Sequence, residues 1–170
     1  MSDVSIRTAT VDDAAALLAI YTPYVLKTAI SFELEPPSVE EFRGRIEHSL
    51  AEWTWLVAER DGRPVAYAHG TRHRPRAAYK WSVETSVYVA EGNHRQGLGR
   101  LVYSALMPRL VELGYCNAYG GITLPNDKSV ALHKSLGFQP IGIFRSVGWK
   151  FGSWHDVSWW HLPLRSAPPE

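Results

Sequence analysis

Apolar and polar positions along this chain recur with two periods. The switches between them predict the order strand, two helices, three strands, helix, strand, helix, two strands. Val4 to Arg7 reads as a short strand. Thr10-Val11-Asp12-Asp13 has the form of a capping box, and Leu17, Leu18 and Tyr21 give the helix behind it an apolar stripe. Ser38-Val39-Glu40-Glu41 repeats that signature and opens a second helix to about Leu50. Trp53 to Glu59 and Pro64 to Thr71 are apolar runs joined by Asp61-Gly62, a strong hairpin signal in that setting. Val83, Thr85, Val87 and Val89 alternate with Glu84, Ser86 and Tyr88, which makes a strand with Glu84 and Tyr88 on one face.

After a glycine-bearing turn, Leu98, Leu101, Val102, Ala105, Leu106, Leu110 and Leu113 mark a long amphipathic helix, and Gly114 stops it. Tyr115 to Thr123 is the next strand. Asn126 suits the N-cap of a short helix carrying Val130 and His133, with Gly137 just past its end. Phe138 to Val147 and Val157 to Leu162 complete the strands, separated by a turn-rich stretch from Gly148 to Asp156. The strand, turn, helix and strand in the middle form one crossover unit of a mixed α/β domain. No repeat or linker interrupts the pattern. One domain is expected over residues 1–165, with residues 166–170 as a short flexible tail.

Composition narrows the function classes. A chain of 170 residues can bury a sizeable core, and 45% hydrophobic against 21% charged residues is ordinary for a soluble globular protein. A net charge of +1 gives no general attraction to nucleic acid or membrane, so anion binding must come from local clusters. The lone cysteine, Cys116, excludes an internal disulfide and a zinc–thiolate cluster, and it suits a reducing cytoplasm. The opening MSDVSIRTAT lacks the basic-then-apolar layout of a signal peptide, and no apolar run approaches the roughly 20 residues of a membrane span. Seven tryptophans and eight tyrosines suggest aromatic-lined walls or an apolar interface. His69 and His73 fit strand alternation better than a metal pair, and no G-x-S-x-G elbow is present.

His94-Arg95-Gln96-Gly97-Leu98-Gly99-Arg100 stands between a strand and a helix. Its glycines let backbone approach a ligand closely, the helix start offers free amides and a positive dipole end, and Arg95 and Arg100 add charge. Together these make a site for a pyrophosphate. The segment is neither a P-loop nor a dinucleotide fingerprint, because it lacks G-x-x-x-x-G-K-[ST] and a third glycine. By itself G-x-G also reads as a tight strand-to-helix turn. Glu84, in an otherwise apolar strand, is either an ion-paired strand-end residue or a general base. His133 is either a core histidine held by a carbonyl or a proton-transfer group. The cluster Arg72-His73-Arg74-Pro75-Arg76 reads as a solvated loop or as a pair of cations for an anionic ligand, and Asn126 and Ser129 combine capping with ligand contact.

These segments resemble a known family. VYVAEGNHRQGLGRLVYSAL is similar to the coenzyme A-binding motif of the GNAT acetyltransferase superfamily, R/Q-x-x-G-x-G/A, with His94 where the motif has glutamine or arginine. Leu124-Pro125-Asn126-Asp127 and the run from Ser129 to Phe138 resemble that superfamily's second block, N-x-x-[AS]-x-x-[LF]-[YH]-x-x-x-G-F. The stretches Thr28 to Glu33, Tyr79-Lys80-Trp81, Glu84 to Val89, Leu132-His133 and Gly148 to Val157 resemble phosphinothricin N-acetyltransferases. That group includes relatives acting on methionine sulfoximine or methionine sulfone. The likeness runs from about residue 4 to residue 163.

The resemblance implies an α/β (α+β) domain of the GNAT acyl-CoA N-acyltransferase fold, with a central mixed, mostly antiparallel twisted sheet flanked by helices. It implies acetyl transfer from acetyl-coenzyme A to the α-amino group of a small amino-acid-like acceptor, directly within a ternary complex. Coenzyme contacts are then expected from Val87, Tyr88, Val89, His94, Arg95, Gln96, Gly97, Leu98, Gly99, Arg100, Asn126 and Ser129. Acceptor contacts are expected from Phe32, Arg74, Arg76, Tyr79, Glu84, Tyr88 and Thr123. The resemblance gives Glu84 the role of base, since an amine must be neutral to attack a thioester. His133 stands where most of the superfamily has a tyrosine that protonates the departing thiolate and where the phosphinothricin-type enzymes have histidine; its step stays open. Thr123 departs from the small or variable residues of close relatives and leaves the acceptor side chain open. A cytoplasmic homodimer is expected, with no metal, nucleic acid or membrane partner. The alternatives are acetylation of a protein N-terminus or another amine, and a coenzyme A sensor without turnover.

Overall fold

The computed structural model describes residues 3–170; Met1 and Ser2, which open the expected domain, lie outside them. The chain runs β1 (Val4–Thr8), α1 (Ala14–Lys27), α2 (Val39–Glu52), β2 (Trp55–Arg60), β3 (Arg63–Arg72), β4 (Ser82–Val89), α3 (Leu98–Glu112), β5 (Asn117–Thr123), α4 (Asp127–Ser135), β6 (Gln139–Lys150) and β7 (Ser153–Pro163), in the predicted order. Local chemistry sets the starts. The Ser38 hydroxyl accepts from the Glu41 amide at 3.1 Å while the Glu41 carboxylate accepts from the Ser38 amide at 2.7 Å, which opens α2. At the first box the Asp13 carboxylate accepts from the Thr10 amide at 2.7 Å, and a short 3-10 turn over Val11–Asp13 leads into α1. Asp61 (φ 52°) and Gly62 (φ 73°) make the two-residue turn between β2 and β3.

Among the described residues the strands form one sheet in the order β1-β2-β3-β4-β5-β7-β6, antiparallel throughout except for β4 against β5. Strand alternation divides the core between its two faces. Leu56, Ala66, Ala68 and Val83 pack with Val102, Tyr103, Leu106 and Leu110 of α3. Trp55, Val57 and Tyr67 pack with Leu17 and Tyr21 of α1 and with Phe42 and Ile46 of α2.

The parallel pair positions the site. β4 and β5 are joined only at Ser82↔Asn117, Val83↔Ala118 and Glu84↔Tyr119. Beyond Glu84 they part: β4 stays with β3 to Val89↔Ala66, and β5 stays with β7 to Thr123↔Val157. A gap therefore opens in mid-sheet.

The stretch from Gly148 to Asp156 differs from its reading as turn. Gly148, Trp149 and Lys150 pair with His155, Trp154 and Ser153, and the turn itself is only Phe151-Gly152. Glycine, serine and exposed aromatics on this ladder mask the alternation that marks a strand. Its tip is tied down by Lys150, only 3% exposed, whose ammonium donates to the carbonyls of Val25, Ser31 and Glu33 at 2.7–2.8 Å. That bond set fixes the connection between α1 and α2, which carries Ile30 and Phe32, beside the sheet.

Candidate active site

The turn from Gly92 to Gly97 delivers α3 to the open side of the gap. Gly97 is its N-cap at φ 74°, a left-handed conformation that favours glycine, and Arg95 also lies there at φ 64°. The first helical bond runs from the Leu101 amide to the Gly97 carbonyl, so the amides of Leu98, Gly99 and Arg100 are left over for a ligand. Gly99 has an ordinary φ, and a Cβ there would meet Val89, Leu132 and Val87 only at van der Waals distance, 3.5–3.9 Å. The fold itself does not demand glycine at 99, and the missing side chain leaves this backbone open to close approach. Arg95 and Arg100 are exposed beside it. Gln96, exposed as well, is engaged on the surface, its Oε1 accepting from Arg60 of β2 at 2.7 Å, and the His94 ring meets Tyr24 edge-on at 6.5 Å between centroids.

Along the gap, the Ala90 amide donates to Val65 of β3. Alternation then turns the amides of Thr85, Val87 and Val89 toward β5 and that of Tyr88 toward β3. The Tyr24 hydroxyl donates to the Val89 carbonyl at 2.7 Å and lies 3.3 Å from its amide, which leaves the Val87 N–H and C=O opening onto the gap. A small cavity of about 60 Å³ occupies it, lined by Thr85, Val87, Tyr88, Asn126, Ser129 and His133 among others. Asn126 caps α4 by accepting from the Ser129 amide at 3.1 Å.

His133 is buried, and its hydrogen bonds fix its tautomer. Nδ1 lies 2.7 Å from the Ser129 carbonyl, which can only accept, so Nδ1 carries the proton. Nε2 then accepts from the Tyr103 hydroxyl at 3.2 Å, and that hydroxyl is 2.6 Å from Thr85 Oγ1. Burial pushes the His133 pKa down, against a smaller upward pull from the Ser129 carbonyl. Burial likewise pushes the Tyr103 phenol up, so it stays a donor. A Cβ at Gly120 would stand 2.7 Å from His133 Nε2, so glycine there makes room for the imidazole.

Glu84 lies where the strands part. Its Oε1 accepts from His73 Nδ1 and from Arg74, both at 3.0 Å, and Oε2 has no partner among the described residues. The His73 ring is held flat by stacking on Tyr119 at 4.7 Å, and Tyr119 stacks in turn on His161 at 5.0 Å. The ion-paired reading of Glu84 is thus met in geometry, and the pair sits at the wall of a cavity of about 380 Å³. Ile30, Phe32, Glu84, Ser86, Thr123 and Trp159 line that cavity, with Phe144, Val147 and Val157 beyond. The buried Trp159 Nε1 has no partner among the described residues. Thr85, Ser86, Gly121 and Thr123 line both this cavity and the gap, so the two are adjacent.

The structure therefore gathers Glu84, Phe32, Thr123 and Arg74 on one side and His133, Asn126, Ser129, Val87 and the glycine turn on the other. Tyr88 lines the gap. Arg76 and Tyr79 do not line the Glu84 cavity: they border a separate basic hollow with Arg72, Arg74, Lys80 and Trp81 beside the 3-10 turn Ala77–Tyr79, and Arg74 reaches Glu84 from its edge. Tyr79 reaches the site only through the back of His73, at 5.5 Å. Sequence reasoning missed His73, Tyr103, Thr85 and Arg60. No local motif marks them, since each meets its partner from a different part of the chain.

Comparison with known proteins agrees with this geometry. The family model for the acetyltransferase (GNAT) domain matches residues 6–159. A phosphinothricin N-acetyltransferase of Streptomyces viridochromogenes is 37% identical, over 98% of this chain and 91% of that protein. An L-methionine sulfoximine/L-methionine sulfone acetyltransferase of Pseudomonas aeruginosa is 32% identical, over 96% and 98%. The crystal structure of a GNAT superfamily phosphinothricin acetyltransferase from Sinorhizobium meliloti in complex with AcCoA superposes with a TM-score of 0.94 at 30% identity, covering 100% of this chain and 95% of that one. With a family match over most of its length, a left-handed glycine turn at a helix start and a parted parallel strand pair, this chain belongs to the GNAT acetyltransferases.

Proposed function

We propose that this protein transfers acetyl from acetyl-coenzyme A to the α-amino group of a small amino-acid-like acceptor, such as phosphinothricin, methionine sulfoximine or methionine sulfone. The observation that carries the reading is the adjacency of the gap and the Glu84 cavity across Ser86 and Thr123. The site fits the coenzyme: the left-over amides of Leu98, Gly99 and Arg100 would hold its diphosphate, with Asn126 and Ser129 along its arm. Bound there, it supplies an activated acetyl thioester. The Val87 N–H, facing the gap, offers a donor to a carbonyl oxygen, whereas alternation turns the Tyr88 amide into the ladder with β3. Glu84, through its free Oε2, receives the ammonium proton directly or through water, while His73 and Arg74 hold the carboxylate in place.

His133 enters as a neutral imidazole with Nε2 as acceptor. In the resting enzyme it therefore has no spare proton for a thiolate. Its task is to take part in proton passage with the Tyr103 hydroxyl. Direct transfer in a ternary complex is the consistent route, because the one thiol, Cys116, is buried away from the site.

A homodimer belongs to this reading. Ile141, Ile143, Trp149, Phe151 and Trp154 leave an apolar face exposed on the β6–β7 hairpin, which a second copy would cover. So do a cytoplasmic location, suited to the free thiol, and a single catalytic domain over residues 1–165. Thiol release measured with acetyl-coenzyme A and a panel of amino acids tests the proposal. Turnover on the three named acceptors supports it, and none on any of them removes that acceptor class. Sedimentation velocity at micromolar concentration tests the dimer.

A further inference from the structure

The Glu84 cavity takes part of its wall from a segment with no ladder of its own. Ile30 and Phe32 line it from the connection between α1 and α2, residues 28–38, which holds no helix or strand. Burial does not place them either, since Phe32 is 39% exposed and Ile30 42%. A segment of this kind samples many conformations unless something ties it. Whatever ties it decides where the wall stands.

Two residues on one face of β6 do so. Gly148 and Lys150 are two apart on a strand, so both point to the same side. A Cβ at Gly148 would stand 2.4 Å from Cε2 and from Cζ of Phe32. Gly148 has no positive φ, so its backbone does not require glycine; the Phe32 ring lying against it does. Lys150 grips the chain on both sides of that ring. Its ammonium has three protons and donates to the carbonyls of Val25, Ser31 and Glu33 at 2.7, 2.7 and 2.8 Å. These main-chain oxygens are its hydrogen-bond partners among the described residues, although a buried ammonium is costly without a carboxylate. The Glu33 carboxylate is engaged elsewhere, forked by Arg45 of α2 at 2.5 and 2.9 Å and accepting from the Tyr21 hydroxyl. That hydroxyl also lies 2.7 Å from Ser31 Oγ. Ser31 and Glu33 are thus pinned by α1, α2 and β6, with Phe32 between them.

We infer that Gly148 and Lys150 are positioning residues for the acceptor. Gly148 seats the Phe32 ring, Lys150 clamps the residues on either side of it, and together they fix the wall against which the acceptor is held. Neither residue lines the cavity, so each acts through Phe32. The inference rests on the reading of the chain as an amino-acid N-acetyltransferase.

Steady-state kinetics with methionine sulfone at saturating acetyl-coenzyme A tests it. Gly148→Ala and Lys150→Met should each raise the acceptor KM about tenfold, because a loosened wall must be reordered on binding. Their kcat should stay within about twofold of wild type, the split expected when only ground-state holding is lost. Acetyl-coenzyme A affinity, measured by calorimetry, should be unchanged and shows that each variant is folded. If Lys150→Met does not fold, Gly148→Ala carries the test alone. A double-mutant cycle separates positioning from general stability: in a Phe32→Ala background, either change should alter KM by less than about twofold. Wild-type KM in Gly148→Ala, or the same tenfold rise with and without the Phe32 ring, overturns the inference. If wild type acetylates no amino acid, the enzymatic reading fails by itself, and the cycle is run on methionine sulfone affinity by calorimetry. No binding to wild type, or equal affinity in wild type and Gly148→Ala, then overturns the inference too.

Discussion

On the side of β4 proposed for the coenzyme, the groups left open are mostly main chain: the amides of Leu98, Gly99 and Arg100, and the N–H of Val87 where the strands part. On the acceptor side they are side chains gathered from distant segments. Phe32 comes from the connection between the first two helices, Glu84 from β4, Thr123 from β5 and Trp159 from β7. The first side depends on where the backbone bends and stops pairing, so many sequences satisfy it and one turn motif marks it. The second depends on which side chains meet, so it sets the acceptor and changes with single residues.

The largest effects should fall where both sides meet. Glu84→Ala and His133→Phe should each lower kcat by about two orders of magnitude with acetyl-coenzyme A affinity retained, as single-turnover kinetics and calorimetry would reveal. Full rates in both would remove their roles. The next effect lies behind the acceptor side, at His69 of β3, and concerns stability. The His69 pKa, depressed to about 4 chiefly by burial, means that the unfolded chain takes up a proton below about pH 6.5 while the folded chain does not. Stability is therefore present above the unfolded value and lost as pH falls. Between pH 7 and pH 5 wild type should lose about 2 kcal/mol relative to His69→Phe in urea unfolding. An unchanged difference would mean that His69 is not held neutral.

On the coenzyme side, Gly99→Ala should leave thermal stability nearly intact, since a Cβ finds ordinary contacts there. It should weaken acetyl-coenzyme A binding about tenfold by holding the ligand off the amides. Unaltered affinity would break the main-chain account. Smallest, Tyr103→Phe removes only the hydroxyl between Thr85 and His133 and should lower kcat roughly fivefold. A shift of its pH–rate profile, which a purely packing role would not produce, separates the two explanations.

The same contrast explains what could be read from the chain. Element order, both helix-capping signatures, the Asp61-Gly62 hairpin and the glycine turn are local, and short stretches of sequence state them. The sheet's central event, the parting of β4 and β5 after Glu84, is not local, and no short stretch of sequence states it. Arg74 and Arg76 looked equivalent two residues apart and both border the basic hollow, yet only Arg74 also reaches the Glu84 carboxylate. His73 looked like strand filler because its role depends on Tyr119 and His161 stacking behind it from two other strands. Lys150 read as part of a turn, whereas its three carbonyl partners lie more than a hundred residues earlier in the chain.

Isothermal titration of the purified wild-type chain with acetyl-coenzyme A bears on all of this at once. A saturable heat at one site per chain, lost in Gly97→Val where the left-handed turn is forbidden to a branched residue, is the predicted result. A flat titration from correctly folded wild-type protein would contradict the assignment of the turn at residues 94–100 as the coenzyme's seat.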